Sequence, residues 1–299
     1  MELCHYTSLD GLIGILNENS LWATHLGYLN DTTELLQGIN CAKKFTDTFI
    51  TNPHINQNWI DEIKKQISSL ENVFNQDIYV TSFCAGGYED DLEIDVSDIL
   101  SQWRGYSKQK QGVCLVFDKD DLLDFLSSTQ HSKIKSFDGT VYDQRTFEIT
   151  HRKIEYTSLH LDQNIIKINN TLSHFFKENL SHLGYFLDSN LAKQGIINTT
   201  LHTILPFIKD SGFEQEKEYR IVFHTITNRG LVKYRNNEGL LTPYISIGRN
   251  DDNKKPIPIK RIVVGPSSYS CTNATTISNM LNDLGFRSKV EISKIPYRS

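Results

Sequence analysis

The sequence predicts an α+β fold in which strands from both ends of the chain enclose a helical middle. Three observations lead there. Short apolar or β-branched runs occur early, at Ile78–Cys84 (IYVTSFC) and Gly112–Phe117 (GVCLVF). Similar runs return late, at Tyr219–Phe223, Leu231–Tyr234, Leu241–Ile247, Ile259–Val264 and Val290–Ile292. Between them, over residues 162 to 208, His174, Phe175, Phe176, Leu180, Leu183, Phe186 and Leu187 form a stripe at helical spacing, ended by Pro206 and the turn Asp210-Ser211-Gly212.

In chain order, residues 3–35 (LCHYTSLDGLIGILNENSLWATHLGYLNDTTEL) come first. A short apolar strand ends in His5-Tyr6-Thr7. Leu12, Ile13, Ile15 and Leu16 then recur at helical spacing, with Thr7 or Ser8 as the cap. LWAT reads as the next strand. A strand end beside a helix amino terminus suits an anionic ligand, since free amides and the helix dipole favour negative charge. Asp31 with Glu34 three residues later predicts a capping box and a second helix. Amphipathic patterns cover Glu34–Thr51 and Asn58–Asn75, with a break at Asn52-Pro53. A short helix is predicted over Asp98–Tyr106, capped by Ser97 or Asp98 and stopped at Gly105, and another over Asp118–Ser127. Ile134–Tyr142 and Phe147–Tyr156 read as extended, and Ala274–Leu284 as helical. There is no internal repeat or low-complexity linker. Residues 1–299 form a single domain with a helical insertion at about 160–208.

With 299 residues and 38% hydrophobic content, the chain can bury a substantial core. No stretch approaches the roughly 20 apolar residues of a membrane span, and the amino terminus lacks signal-peptide character, so the expectation is a cytoplasmic globule without membrane contact. Cys4, Cys41, Cys84, Cys114 and Cys271 have no C-x-x-C spacing and mostly apolar neighbours, and so read as buried thiols. Residues 1–100 hold 16 acidic and 4 basic side chains, leaving the basic excess to the later part, where a nucleic-acid surface would belong. The plainer reading is a set of solvated faces. The acidic run EDDLEIDVSD, residues 89–98, reads as a mobile surface loop, with a divalent-cation site as the alternative.

Four patches carry polar or aromatic residues that packing alone does not require. They are His5-Tyr6-Thr7, Thr81-Ser82-Phe83, Gln102-Trp103-Arg104-Gly105-Tyr106 and Glu214 through Arg220. In the last, Tyr219, Ile221 and Phe223 share one strand face, while Glu216, Glu218 and Arg220 project from the other. Two carboxylates and a guanidinium would line one cleft wall.

The motifs HYTS-L-x-G-L-x-x-I-L, LWAT, Y-L-N-D, SQWRGY and E-x-E-Y-R, with Ile259-Lys260-Arg261-Ile262-Val263-Val264-Gly265-Pro266, resemble a widespread bacterial family of unknown function across nearly the whole chain. The opening is also similar to the start of ADP-ribosyltransferase toxins that modify DNA. That second resemblance implies split mixed or antiparallel sheets, NAD as substrate, no metal, and a nucleic acid or protein as acceptor. The role would be that of a toxin or antiviral defence effector. It assigns His5 and Thr7, with Tyr6 beside them, to the adenine-side ribose or phosphates. Ser82 becomes the central-strand hydroxyl, and Glu216 or Glu218 the catalytic glutamate after the loop Lys209–Gln215. Arg104 is suited to the pyrophosphate, Arg220 adds a second guanidinium to the cleft, and Trp103, Tyr106 or Tyr28 can stack on a ring. The chain departs from the arginine-modifying enzymes: it has Thr81-Ser82-Phe83 rather than a Ser-Thr-Ser triplet, and a long interval separates Ser82 from Glu218.

Each residue also has a structural explanation. His5 can be a core histidine, Thr7 and Ser8 helix caps, Trp103 and Tyr106 core aromatics, and Arg104 an ion partner of Glu216 or Glu218. Taken together, however, these explanations leave a polar network of His, Arg, two Glu and another Arg with no ligand to account for it. Two alternatives to the transferase stand beside it: a nucleotide- or nucleic-acid-binding module without chemistry, and a nuclease using Glu216, Glu218 and the 89–98 cluster with a metal. No P-loop, H-E-x-x-H or G-x-S-x-G motif occurs.

Overall fold

A computed structural model describes residues 1–29, 38–40, 43, 57–69, 77–89, 92–107, 111–129, 131–135, 141–145, 147–157, 205–225, 231–237, 239–248 and 255–296. The predicted capping box at Asp31–Glu34, most of the Glu34–Thr51 helix, Cys41 and residues 158–204 of the helical insertion lie outside these.

The class is α+β, with a mostly antiparallel, open sheet. Ten strands take part among the described residues. Along its main path run β13 (Val232–Asn237), β14 (Leu240–Gly248), β2 (Ser20–His25), β3 (Ile78–Ala85), β1 (Glu2–Ser8), β6 (Gly112–Asp118), β15 (Ile259–Val264) and β16 (Lys289–Ile292). Two further strands, β12 (Glu218–Thr225) and β9 (Phe147–Lys153), extend from the far side of β3. The β15–β16 pairing is parallel, and the others in this sheet are antiparallel.

The sheet forks at β3. Its Cys84 and Ala85 pair with Cys4 and Leu3 of β1, whereas its Tyr79 and Val80 pair with His25 and Thr24 of β2. Between these pairings β1 and β2 diverge, and side chains replace the missing backbone partners. Nδ1 of His5 donates to the Ser82 carbonyl at 3.0 Å, and the Thr81 hydroxyl donates to the Trp22 carbonyl at 3.1 Å.

One face of the sheet carries the main core, including Leu3, Phe83, Leu115, Phe117, Ile221, Phe223 and Ile262. Helix α1 (Leu9–Glu18) packs there through Leu12, Ile15 and Leu16. Ser8 is its cap, accepting from the Gly11 amide at 3.1 Å, and Asn19 closes it in the left-handed conformation at φ 48°. Helix α2 (Gln57–Ser69) falls on the predicted Asn58–Asn75 pattern. On the other sheet face a smaller cluster of Cys4, Tyr6, Cys84, Val96, Trp103, Cys114, Val116 and Val263 lies against helix α3 (Leu100–Ser107). Helices α4 (Lys119–Ser127, capped by Asp118) and α5 (Ser270–Asp283) add Leu122, Phe125, Leu126, Ile277 and Leu281 to the main core.

Four local expectations are corrected. Gly105 does not stop its helix, which continues to Ser107, because an exposed glycine weakens a helix without terminating it. The acidic run holds one short strand, β5 (Leu92–Ile94), which pairs antiparallel with β4 (Gly87–Glu89) at the run's start, rather than being irregular throughout its described residues. Ile134–Tyr142 is not one extended run but parts of two, β7 (His131–Lys135) and β8 (Val141–Arg145), which pair antiparallel. Cys4, Cys84 and Cys114 are buried thiols as expected, but Cys271 is exposed near the start of α5.

Gly265 shows how closely α3 meets the sheet. A β-carbon there would lie 2.8 Å from the Trp103 ring and 3.0 Å from the Gly112 carbonyl. Gly265→Ala is therefore expected to cost about 1–3 kcal/mol by overpacking, measured as a lowered urea midpoint at unchanged slope.

Candidate functional site

A narrow cleft opens on the α3 side of the sheet, lined by Cys4, Tyr6, Ser82, Phe83, Cys84, Gln102, Glu216 and Glu218. Strand alternation accounts for most of this lining. Register pairs Glu218 with Cys84, Arg220 with Ser82, and Cys4 with Cys84, so these five side chains leave the sheet on one face.

The segment before β12 positions the carboxylates. Asp210 caps a 3-10 turn over Ser211–Glu216 by accepting from the Gly212 amide at 2.7 Å. Lys217 then takes a left-handed conformation at φ 45° and turns the chain into β12. Glu216 consequently lies on the turn and not, as the sequence suggested, two residues along the same strand. The two carboxylates still converge, because one ammonium reaches both.

That ammonium belongs to Lys209, on the short strand β11 (Ile208–Asp210), which runs parallel to β10 (Glu155–Thr157). Its Nζ lies 2.8 Å from Glu216 Oε2 and 3.1 Å from Glu218 Oε2. Arg220 holds the other oxygen of Glu218 through Nε at 2.8 Å and Nη2 at 2.7 Å, and its Nη1 donates to the Pro206 carbonyl at 2.6 Å. The Glu218 amide donates to the Tyr156 hydroxyl at 2.7 Å. Glu218 is 4% exposed and Arg220 1%. Burial pushes the Glu218 carboxyl up, but the Arg220 and Lys209 charges and hydrogen bonds from Ser82 and Arg220 outweigh it and hold its pKa below the ordinary value. The group is an ionised carboxylate fixed in a mostly apolar pocket.

The structure gathers Tyr6, Ser82, Glu216, Glu218 and Arg220 around this cleft. Tyr6 is buried, and its hydroxyl donates to the Val96 carbonyl at 2.7 Å while accepting from the Ile99 amide at 3.0 Å. Trp103 is not among the lining residues but is packed behind Tyr6: it is 2% exposed, stands edge-on to Tyr6 at 4.7 Å, and donates its indole N–H to Asp98 at 2.7 Å. His5 and Thr7 alternate with Cys4 and Tyr6 along β1, which sends them to the opposite sheet face, where His5 packs on Phe83 and fills the fork. Tyr28 stands edge-on to His25 after β2 and is not among the lining residues. Arg104 is exposed, and the cations that hold Glu218 are Arg220 and Lys209. The side chain of Tyr106 lies outside the described residues.

Sequence reasoning missed Lys209 and Gln102 as site residues. Lys209 had a signal: two neighbouring carboxylates against one arginine call for a second cation. Gln102 stood inside a patch singled out for its aromatics and its arginine. Among the described residues, no group of three His, Cys, Asp or Glu side chains has metal-holding geometry.

Burial lowers the pKa of His5, against an opposing hydrogen bond to the Ser82 carbonyl. The unfolded chain then binds a proton more readily, so the stability His5 contributes is present above about pH 6.5 and is lost as pH falls toward the folded pKa. Glu218, also lowered, adds a second loss below about pH 4.5. Urea midpoints should therefore decline from pH 7 to 5, and His5→Gln should flatten that part of the profile.

A family described as "Protein of unknown function (DUF2971)" matches residues 102–221. The match contains most of SQWRGY and all of E-x-E-Y-R, and so runs from α3 to the middle of β12. It is narrower than the near whole-chain resemblance of the motifs, since HYTS, LWAT and the Ile259–Pro266 stretch lie outside it. Neither the curated proteins nor the solved structures contain a match. Among the described residues, no helix is long and apolar enough to cross a membrane.

Proposed function

We propose that this chain is an NAD-consuming, ADP-ribosyltransferase-like enzyme with Glu218 as its catalytic carboxylate and Glu216 beside it. The observation that carries this reading is the carboxylate itself: ionised, held by three cationic nitrogens, and placed at a cleft rather than sealed in the core. Departure of nicotinamide builds positive charge on the ribose, and a fixed negative group in a water-poor pocket stabilises that charge far better than solvent does. The adjacency of β1, β3 and β12 supports the same reading, because the resemblance draws one residue from each of three such strands. In this sheet Ser82 and Glu218 share the cleft. His5 acts from the fork, through the Ser82 backbone, and not as a direct ligand.

The second reading, a nucleotide-binding module without chemistry, is favoured by one specific feature. Both oxygens of Glu218 are engaged by Arg220 and Lys209, so a ribose hydroxyl must share or displace one of these contacts. Nicotinamide release from NAD by the purified protein, alone and with DNA, RNA or cell lysate, separates the two. Release that depends on an acceptor supports a transferase and names the acceptor class. Tight NAD binding without release supports the module.

A further inference from the structure

Helix α3 brings a side chain to the cleft that none of the site's hydrogen bonds uses. Gln102 is 6% exposed and lines the cleft together with Glu216 and Glu218. Among the described residues its carboxamide has no hydrogen-bond partner, although its neighbours Trp103 and Tyr6 are fully engaged. Its polar atoms are not sealed from solvent, so the amide opens into the cleft and not into packed core. A primary amide so largely buried, with no hydrogen bond to the described residues, is available to bond a ligand that enters the cleft.

A glutamine amide presents a donor and an acceptor side by side, and its natural complement is a ring edge presenting the reverse pair. Two parts of NAD offer that edge: the nicotinamide carboxamide and the adenine N6/N7 edge. The remaining lining decides between them. Glu218 lines the same cleft as Gln102, and on the NAD reading the ribose attached to the departing ring must lie against Glu218, so the ring edge within reach of Gln102 is the nicotinamide's. We propose that Gln102 recognises the nicotinamide carboxamide by a reciprocal pair of hydrogen bonds and so orients the leaving group against Glu218. This rests on the NAD reading of the site.

The test is ligand-observed NMR titration of nicotinamide, nicotinic acid and adenosine against the wild-type protein and Gln102→Met, with thermal unfolding alongside. Wild type should bind nicotinamide, and nicotinic acid at least about tenfold more weakly, since its carboxylate removes the donor and faces Glu216 and Glu218. Gln102→Met should lose nicotinamide affinity by at least about tenfold while its unfolding temperature stays level, because the amide makes no hydrogen bond to the described residues that the substitution would break. If Gln102→Met does not fold, Gln102→Glu, which keeps shape but not the donor, carries the same expectation. Unchanged nicotinamide affinity in the variants, adenosine binding in place of nicotinamide, or no binding of either ligand to folded wild type would overturn the proposal. NAD turnover with a KM indifferent to Gln102 would overturn it and leave the enzyme reading intact. Gln102-dependent nicotinamide binding without any turnover would do the reverse.

Discussion

Glu218→Gln should lower nicotinamide release by about 10²–10⁴-fold, the range seen when a single electrostatic or acid–base group is removed from a preorganised site. The amide keeps the shape and can still accept from Arg220, but it carries no charge to set against the developing cation on the ribose. Glu216→Gln should cost less, because Glu216 is the more exposed of the two, at 35% of its side chain against 5%. It also lies on the turn before the strand. Because Glu218→Gln leaves the buried Arg220 charge without its counter-ion, loss of activity has to be read on protein that still melts cooperatively. Equal loss in both variants would mean that the two carboxylates act as one unit. Full activity in Glu218→Gln would remove the residue from catalysis.

Arg220→Met should destabilise the protein by about 3–5 kcal/mol, the usual result of stripping one partner from a buried ion pair. The cost arises from what is left behind: Glu218 keeps only Lys209 among the described cations, and the Pro206 carbonyl loses a donor at 2.6 Å. The double variant Glu218→Met/Arg220→Met should be more stable than Arg220→Met alone. It leaves no uncompensated charge, since Lys209 and Glu216 remain paired at 2.8 Å. Urea unfolding of the wild type, both single variants and the double variant closes this cycle. Strict additivity would show that the pair is not energetically coupled, and that the cleft floor is held by packing instead.

The larger pattern bears on why such a network persists. A hydrophobic replacement of a buried ion pair is often neutral or stabilising, so a double variant close to wild type in stability would mean that the network is not retained for folding. On the proposed reading, a fixed charge at the floor of the cleft supplies another reason. The stability cycle and the nicotinamide assay therefore examine one claim from two sides.

The sequence by itself determined the α+β class, the strands and helices of the main sheet, and the placing of Glu218 and Arg220 on one strand face. These follow from local rules: alternation gives a strand its two faces, helical spacing gives a stripe, and a serine or aspartate before the stripe gives a cap. Ser8 and Asp118 stand at the helix starts for that reason.

Only the tertiary structure decided which faces of different strands meet. Alternation along β1 separates His5 and Thr7 from Tyr6, but which of those sets faces Glu218 depends on the Cys4–Cys84 and Cys84–Glu218 registers, which no local pattern encodes. Lys209 reaches the carboxylates because β10 and β11 pair, and Gln102 because α3 lies across the sheet at Gly265. A backbone turn moved Glu216 off the strand, since one left-handed residue at Lys217 ends the period-two pattern that the letters suggest. Pairing between distant segments, set by how the whole sheet buries its two faces, completed the site.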